Sequence, residues 1–269
     1  MEERPRPAGS DMGPDDAPPA LIAVLERARA LGLLGDRALP DQIGHALGFA
    51  AAYEASRAPS PGQAGAAPPT GSVAAPAGSP QPRRWMDLGS GGGIPGLVLA
   101  LRWSSAACVL LEASSRRARF LTEAVELLGI GDRVGVVALR AETAGADPSL
   151  RAGMDLVVSR SFGPPPVTAE CAAPFLEPPY GLLIVSEPPP SRAAEEEAGV
   201  SGPDRGAPAG RWPADGLAVI GLVRELDFRL DYGYQVLRQT RPCPDRFPRR
   251  PGMASKRPLW RTPPRRPHP

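Results

Sequence analysis

Apolar residues follow two different spacings along this chain. In residues 20–34 and 39–56 they recur at helical spacing, which predicts two amphipathic helices, the first ended by Gly35 and the second started beside Pro40. From residue 83 onward, short apolar runs typical of buried parallel strands alternate with helical stretches. These runs predict five strands, at residues 85–88, 107–111, 134–139, 155–159 and 181–185.

This alternation predicts an α/β fold. Parallel strands need crossover connections, which are right-handed and place helices on both faces of the sheet. Residues 222–230 and 234–238 are expected to add an antiparallel pair. The main domain is therefore predicted at residues 83–240, preceded by a small helical cap at residues 20–57.

Proline and glycine are unusually abundant, with 36 and 30 residues respectively. Segments dominated by these residues bury little apolar surface and are poor candidates for a core. We therefore expect disorder in residues 1–19, a flexible linker in residues 58–82, an insertion loop in residues 192–214 and a basic tail in residues 241–269.

Composition also limits where the protein acts. No apolar run reaches the roughly 18 residues that a membrane span needs, and no secretory signal opens the chain. The three cysteines are widely spaced and form no metal-ligand pattern. We therefore expect a cytoplasmic protein with reduced thiols, no membrane association and no metal, and we expect it to be a monomer. Because the net charge is only +2, any basic surface must be local.

A glycine-rich turn follows the first predicted strand, in the stretch RRWMDLGSGGGIPG of residues 83–96. The dinucleotide pattern G-x-G-x-x-G fails when counted from Gly89, because its sixth position is Ile94; it fits from Gly91 to Gly96, but later in the turn than is usual. The pattern D-x-G-x-G-x-G fits from Asp87 to Gly93, and it resembles the first motif of class I S-adenosylmethionine (SAM) methyltransferases. A carboxylate at Asp87 suits a ligand that carries an ammonium and a sulfonium and would repel a pyrophosphate.

Polar residues follow the other predicted strands at their carboxyl ends, where open α/β sheets bind ligands. Glu112 could accept both hydroxyls of a ribose, or be a solvated loop acid. Ala141 and Glu142 would flank an adenine, although an acid at a helix start also complements the helix dipole. Arg160, with Phe162 beside it, is our candidate for contacting the substrate, the alternative being a surface ion pair.

Basic residues crowd the C-terminal end of the chain. Nine cations lie between residues 241 and 266, with Phe247 and Trp260 among them. Cations contact phosphates and aromatic rings stack on bases, so this stretch predicts RNA binding, the alternative being a solubilising disordered tail. The candidate RNA-binding residues are Arg249, Arg250, Lys256 and Arg257.

Five segments resemble, in order and spacing, the bacterial 16S rRNA 7-methylguanosine methyltransferases, the RsmG/GidB family. They are DLGSGGGIPGLVLAL, LLEASSRRARFL, RAE, DLVVSRSFGPPPV and FPRRPGMASKRPL, which begin at residues 87, 110, 140, 155 and 247. The resemblance implies the class I methyltransferase fold, a Rossmann-like sheet, with SAM as cofactor and small-subunit rRNA as partner. It implies SAM contacts at Gly89, Ile94, Ala141, Glu142 and Arg160, with Glu112 on the ribose; the glycine motif adds Asp87, Gly91 and Gly93.

The implied reaction needs no general base, because guanine N7 already carries an in-plane lone pair and transfer from a sulfonium depends on alignment. Arg160 and Phe162 are the candidates for holding the guanine, and His45 is a weaker one. The chain departs from the family pattern at Val185-Ser186-Glu187, where Leu-Lys-Gly is typical, and in the N-terminal helices.

Other functions stay open at this point. The chain could methylate a small molecule or a protein, in which case the basic C-terminal residues would be dispensable. It could also be a catalytically silent SAM-binding or RNA-binding module. A nucleotide-dependent dehydrogenase fits least, given the glycine spacing and Asp87.

Overall fold

A seven-stranded sheet runs through the middle of the protein, in the order β3-β2-β1-β4-β5-β7-β6. The computed structural model describes residues 12–58, 80–188 and 210–262. The first five strands are parallel, and β7 pairs antiparallel with both β5 and β6. The strands are β1 Arg84–Leu88, β2 Ala107–Leu111, β3 Val134–Val137, β4 Leu156–Ser159, β5 Leu182–Glu187, β6 Leu222–Arg229 and β7 Gly233–Gln239. The predicted α/β fold with a closing antiparallel pair is confirmed.

Helices cover both faces of this sheet. They are α1 Pro19–Ala30, α2 Leu39–Arg57, α3 Gly96–Arg102, α4 Ser115–Leu127, α5 Ala141–Ala144, α6 Pro165–Ala172 with a 3₁₀ turn at Ala173–Phe175, α7 Ala214–Ala218 and α8 Met253–Lys256. Successive strand residues point to opposite faces, so the apolar runs feed two cores. Trp85 packs with α1 to α4, whereas Met86 and Leu88 pack with α5 to α7 and the C-terminal residues.

The N-terminal helices are part of the first core rather than a separate cap. Leu21 and Leu25 of α1 and Ile43 and Phe49 of α2 are fully buried in the same cluster as the sheet residues. Helix α1 also ends at Ala30, four residues before the predicted end, because Gly32 adopts a left-handed φ of 67° and turns the chain there.

Residues 241–262, called here the C-terminal segment, are not a tail. Phe247 and Trp260 are 4% and 9% exposed and belong to the second core. The indole N–H of Trp260 donates to the carbonyl of Arg211 at 3.0 Å. The prediction that these two rings stack on RNA bases is therefore wrong, because both rings are used in packing.

Helices α6 and α7 were not predicted from the sequence. Both begin after prolines, at Pro164 and Pro213, within stretches that read as loops. Within the stretch predicted to be disordered, residues 1–19, Met12 and Ala17 pack against the first core and helix α1 begins at Pro19. The other parts of the predicted disordered, linker, insertion and tail regions, residues 1–11, 59–79, 192–209 and 263–269, lie outside the described residues.

Candidate active site

The carboxyl ends of β1, β2 and β4 meet where the strand order reverses. Strand β1 lies between β2 and β4, with Leu88 opposite Leu111 and Asp87 opposite Val158. Connections leave the sheet in opposite directions at such a point, so a crevice opens there. The glycine turn after β1, Glu112 after β2 and Arg160 after β4 are consequently brought to one edge, as predicted.

The glycine turn bends sharply away from β1. Gly89, Gly91 and Gly93 have φ values of 78°, 57° and 96°, which side chains other than glycine rarely adopt. The N–H groups of Gly89 and Ser90 both donate to the carbonyl of Leu111, at 2.9 and 3.1 Å. The turn is thereby fixed to the end of β2.

Two walls stand against this turn. A Cβ atom on Gly89 would lie 2.7 Å from the ring of Phe162, and one on Gly92 would lie 2.6 Å from the carbonyl of Leu33. A Cβ atom on Gly91 would meet only backbone, at 3.8 Å. The loop after β4 and the loop between α1 and α2 therefore flank the turn, and its open side is at Gly91.

Asp87 lies beneath the turn and is fully buried. One carboxylate oxygen accepts the N–H of Gly96 at the start of α3, at 3.0 Å, while the other has no hydrogen-bond partner within the described residues. Burial raises the pKa of Asp87 to about 7, against the lowering effects of Ser90, Arg160 and Gly96. An unpaired buried acceptor favours a nearby donor or cation.

Glu112 braces the turn from the end of β2. It is 6% exposed, and its two oxygens accept the N–H groups of Gly91 at 2.9 Å and Ser114 at 2.8 Å. Each carboxylate oxygen can accept a second hydrogen bond. The side chain therefore joins the glycine turn to the start of α4 and still has capacity for hydroxyl donors.

Ala141 and Glu142 open α5 after β3. Ala141 is buried and packs in the second core. The Glu142 carboxylate, however, accepts the N–H of Gly252 at 2.9 Å and lies 3.5 Å from the guanidinium of Arg140. Its observed partner is thus a residue of the C-terminal segment, which sequence spacing gave no means of predicting.

Ile94, another predicted contact, is 5% exposed and packs in the first core.

Arg160 lies among aromatic and basic side chains. Burial lowers the pKa of Arg160; among the charges, that of Asp87 has the largest effect and opposes this lowering, while that of Arg37 adds to it. His45 of α2 stacks on Tyr232, with ring centroids 4.1 Å apart and planes at 6°. Burial, together with the guanidiniums of Arg160 and Arg37, lowers the pKa of His45 to about 4, so its ring is neutral.

Sequence reasoning missed two members of this cluster, Arg37 and Tyr232. Arg37 donates to the Tyr232 hydroxyl at 3.2 Å, and its guanidinium lies 5.6 Å from the centre of that ring. Tyr234 donates to the carbonyl of His45 at 2.7 Å, and a Cβ on Gly48 would clash with the same hydroxyl. Gly48, a glycine inside α2, was the one signal in the sequence that Tyr234 approaches this helix closely.

The predicted RNA-binding residues divide into two kinds. Arg250, Lys256 and Arg257 are exposed; these three residues are called the basic surface below. Arg249 instead contacts Glu170, a carboxylate with a side chain only 1% exposed, through its backbone N–H at 3.1 Å and its Nε at 2.8 Å. The guanidinium of Arg249, a predicted RNA contact, is therefore already paired with the carboxylate of Glu170.

Within residues 12–58, 80–188 and 210–262, no group of three or more histidine, cysteine, aspartate or glutamate side chains is arranged to hold a metal ion. In the same residues, no helix has the length and apolarity needed to cross a membrane.

The chain is similar in sequence to proteins of one family. Residues 72–186 match the model of the family described as rRNA small subunit methyltransferase G. Relatives with that name include one from Prochlorococcus marinus, 36% identical over 66% of this chain and 69% of its own, and one from Deinococcus deserti, 35% identical over 65% and 68%. A solved structure described as an O-methyltransferase from Klebsiella pneumoniae superposes with a TM-score of 0.49 and 17% identity, covering 84% of this chain and 91% of its own. The chain belongs to the rRNA small subunit methyltransferase G family.

Proposed function

We propose that this protein transfers a methyl group from SAM to N7 of a guanosine in small-subunit rRNA. The observation that carries the proposal is the glycine turn at the sheet's switch point, with buried carboxylates of Asp87 and Glu112 on its two sides, in a chain that belongs to this family. The choice of N7 as the methylated atom follows from the resemblance to the family and is part of the proposal.

The residues around the turn fit SAM. We assign the ribose hydroxyls to Glu112, whose oxygens have spare acceptor capacity, and the methionyl part to the open side of Gly91, with Gly89 and Gly93 shaping the turn. The unpaired oxygen of Asp87 suits the cationic end of the cofactor. Ala141 leaves room for the adenine, and Arg160 suits the cofactor's carboxylate.

SAM supplies an electrophilic methyl group on a sulfonium. Guanine N7 carries a lone pair and no proton, so the protein has to align the base rather than deprotonate it. Phe162 lies against Gly89 and offers a ring beside the turn. His45 is neutral at physiological pH, so it can act only as an uncharged hydrogen-bonding group toward a base edge.

We propose that the RNA backbone contacts the basic surface. Arg250, Lys256 and Arg257 are exposed on a segment whose own backbone is fixed to the domain. Exposed cations on a rigid support bind phosphates with little ordering cost. We further propose that the protein is cytoplasmic and acts as a monomer. Sedimentation in the presence and absence of RNA would test the monomeric state.

The experiment that tests the function is methyl transfer from labelled SAM to small-subunit RNA, with and without ribosomal proteins, followed by digestion to nucleosides. We expect the label in 7-methylguanosine. Label in protein or in a small molecule would contradict the proposed substrate, and SAM binding without transfer to any of them would indicate a silent module.

A further inference from the structure

The C-terminal segment is fixed to the domain by two carboxylates that approach it from different helices. Glu142 at the start of α5 accepts the N–H of Gly252 at 2.9 Å. Glu170 in α6 accepts three donors of Arg249. These contacts are 110 and 79 residues apart in sequence, so they are set by the fold alone.

A third contact group reinforces this attachment. Arg151 donates to the carbonyls of Phe247 at 2.8 Å and Cys243 at 2.8 Å, and also to that of Gly145 just after α5. A Cβ on Gly145 would lie 2.9 Å from Pro248. Helix α5 is thus in contact with the segment near both of its ends.

The basic surface lies directly beside these contacts in the chain. Arg249, held by Glu170, precedes Arg250, and its guanidinium also donates to the carbonyl of Arg257 at 2.8 Å. Gly252, held by Glu142, precedes the short helix that contains Lys256. Arg250 is therefore one residue from Arg249, whose backbone N–H Glu170 accepts, and Lys256 and Arg257 are four and five residues from Gly252, whose N–H Glu142 accepts.

From these contacts we propose that Glu142 and Glu170 are positioning residues for RNA binding: Glu142 acts through Gly252 and Glu170 through Arg249 to hold the basic surface in place. The inference rests on the proposed RNA substrate. It differs from the expected role of Glu142, since its carboxylate then serves the RNA and not the adenine of SAM.

The electrostatics of Glu142 agree with this role. Burial alone would raise its pKa, but the N–H of Gly252, its own backbone N–H and the guanidinium of Arg140 outweigh burial and lower the pKa. The carboxylate is therefore ionised at neutral pH and forms a charge-assisted hydrogen bond, which is stronger than a neutral one.

Steady-state kinetics with Glu142→Ala test the proposal. We expect the KM for RNA to rise about tenfold, because the C-terminal segment loses a charge-assisted hydrogen bond that holds the basic surface, with kcat and the Kd for SAM unchanged. Glu142→Gln keeps an acceptor oxygen and should recover part of the loss. Asp147→Ala is the matched control, because it removes the same charge nearby from a carboxylate that accepts hydrogen bonds from Ser149 instead.

A double-mutant cycle separates positioning from a general loss of structure. If Glu142 acts through the basic surface, Glu142→Ala should cost much less in a Lys256→Ala/Arg257→Ala background than in the wild type. Equal costs in both backgrounds, or a raised Kd for SAM in Glu142→Ala alone, would overturn the proposal. Glu170→Gln should behave like Glu142→Ala in the same cycle, with thermal unfolding measured alongside.

RNA binding by the wild-type protein tests the proposed function separately from the role of Glu142. If it binds small-subunit RNA with an affinity that falls as salt rises, the proposed function stands and the variants decide the role of Glu142. If it shows no such binding, the proposed function itself is contradicted.

Discussion

At the residue scale, Gly89 combines two requirements that a side chain would violate. Its φ is 78°, and a Cβ would lie 2.7 Å from Phe162. We predict that Gly89→Ala raises the Kd for SAM at least about tenfold, because either the turn or the Phe162 wall must move. Calorimetric titration with SAM measures this directly.

Gly129 provides the matched control for that variant. It also has a left-handed φ, 64°, but an added Cβ would meet nothing within 4 Å, and it lies after α4 away from the turn. Gly129→Ala should therefore cost about 1 kcal/mol of stability and leave SAM binding unchanged. Equal SAM affinity in both variants would contradict the assignment of the turn as the cofactor site.

Asp87 predicts a pH dependence of both stability and SAM binding. Burial raises its folded pKa to about 7, above the unfolded value, so the folded state holds a proton that the unfolded chain releases. Stability of the cofactor-free protein should therefore fall as pH rises from about 4 to 7, and Asp87→Asn should flatten that fall. Chemical unfolding at several pH values measures it.

The same ionisation should act in the opposite sense on SAM affinity. If the ionised carboxylate attracts the cationic end of SAM, affinity should rise about tenfold between pH 6 and 8, following the ionised fraction of a group with this pKa. Asp87→Asn should lose the slope even where it retains binding. A wild-type affinity that is flat over this range would place the cation of SAM elsewhere.

At the element scale, the end of β5 shows why the chain departs there from the pattern typical of its family. Glu187 has a side chain only 4% exposed, pairs with Arg211 at 2.7 Å and accepts the indole N–H of Trp212 at 2.6 Å. Glu187, the last residue of β5, is thus joined to Arg211 and Trp212 near the end of the predicted insertion. Glu187 lies in the stretch Val185-Ser186-Glu187, where Leu-Lys-Gly is typical. Its contacts with Arg211 and Trp212 give the acid a structural role at this position.

We predict that Glu187→Gln lowers the free energy of unfolding by about 2 kcal/mol, because it removes the negative charge opposite a largely buried Arg211. Urea denaturation measures the change. Glu225→Gln is the control, since its pair with Arg238 is more exposed and should cost under about 1 kcal/mol. Equal losses in the two variants would mean that the Glu187 contacts do not hold these elements together.

The elements also show what the sequence could and could not predict. Apolar runs and the glycine pattern were enough for the parallel strands, for the antiparallel pair and for the edge at which Asp87, Glu112 and Arg160 gather, because these follow from local periodicity and strand-end geometry. The partners of Glu142 and Arg249 could not be predicted, since each lies far along the chain and depends on how the C-terminal segment packs. Proline-led helices such as α6 read locally as loops.

At the scale of the whole molecule, the C-terminal segment completes the second core. Deleting residues 241–269 would remove Phe247 and Trp260 from that core and leave the buried carboxylate of Glu170 without Arg249. We predict that this truncation unfolds the domain at temperatures where the full chain is stable, because it combines lost apolar burial with an unpaired buried charge. Circular dichroism melting measures this.

Truncation after residue 262 is the control, because it keeps every described contact of the segment. That variant should melt like the full chain. If the longer truncation also keeps its melting temperature, the segment is dispensable for the fold, contrary to the packing of its aromatic residues.

We propose above all that the glycine turn at the switch point holds SAM for methylation of small-subunit RNA. The most direct test maps the modified nucleotide, by cleaving RNA chemically at 7-methylguanosine after incubation with SAM and either wild-type protein or Gly89→Ala. We predict one cleavage position for the wild type and a strongly reduced yield for Gly89→Ala. No cleavage with the wild type, despite SAM binding, or equal yield from both proteins would contradict the account.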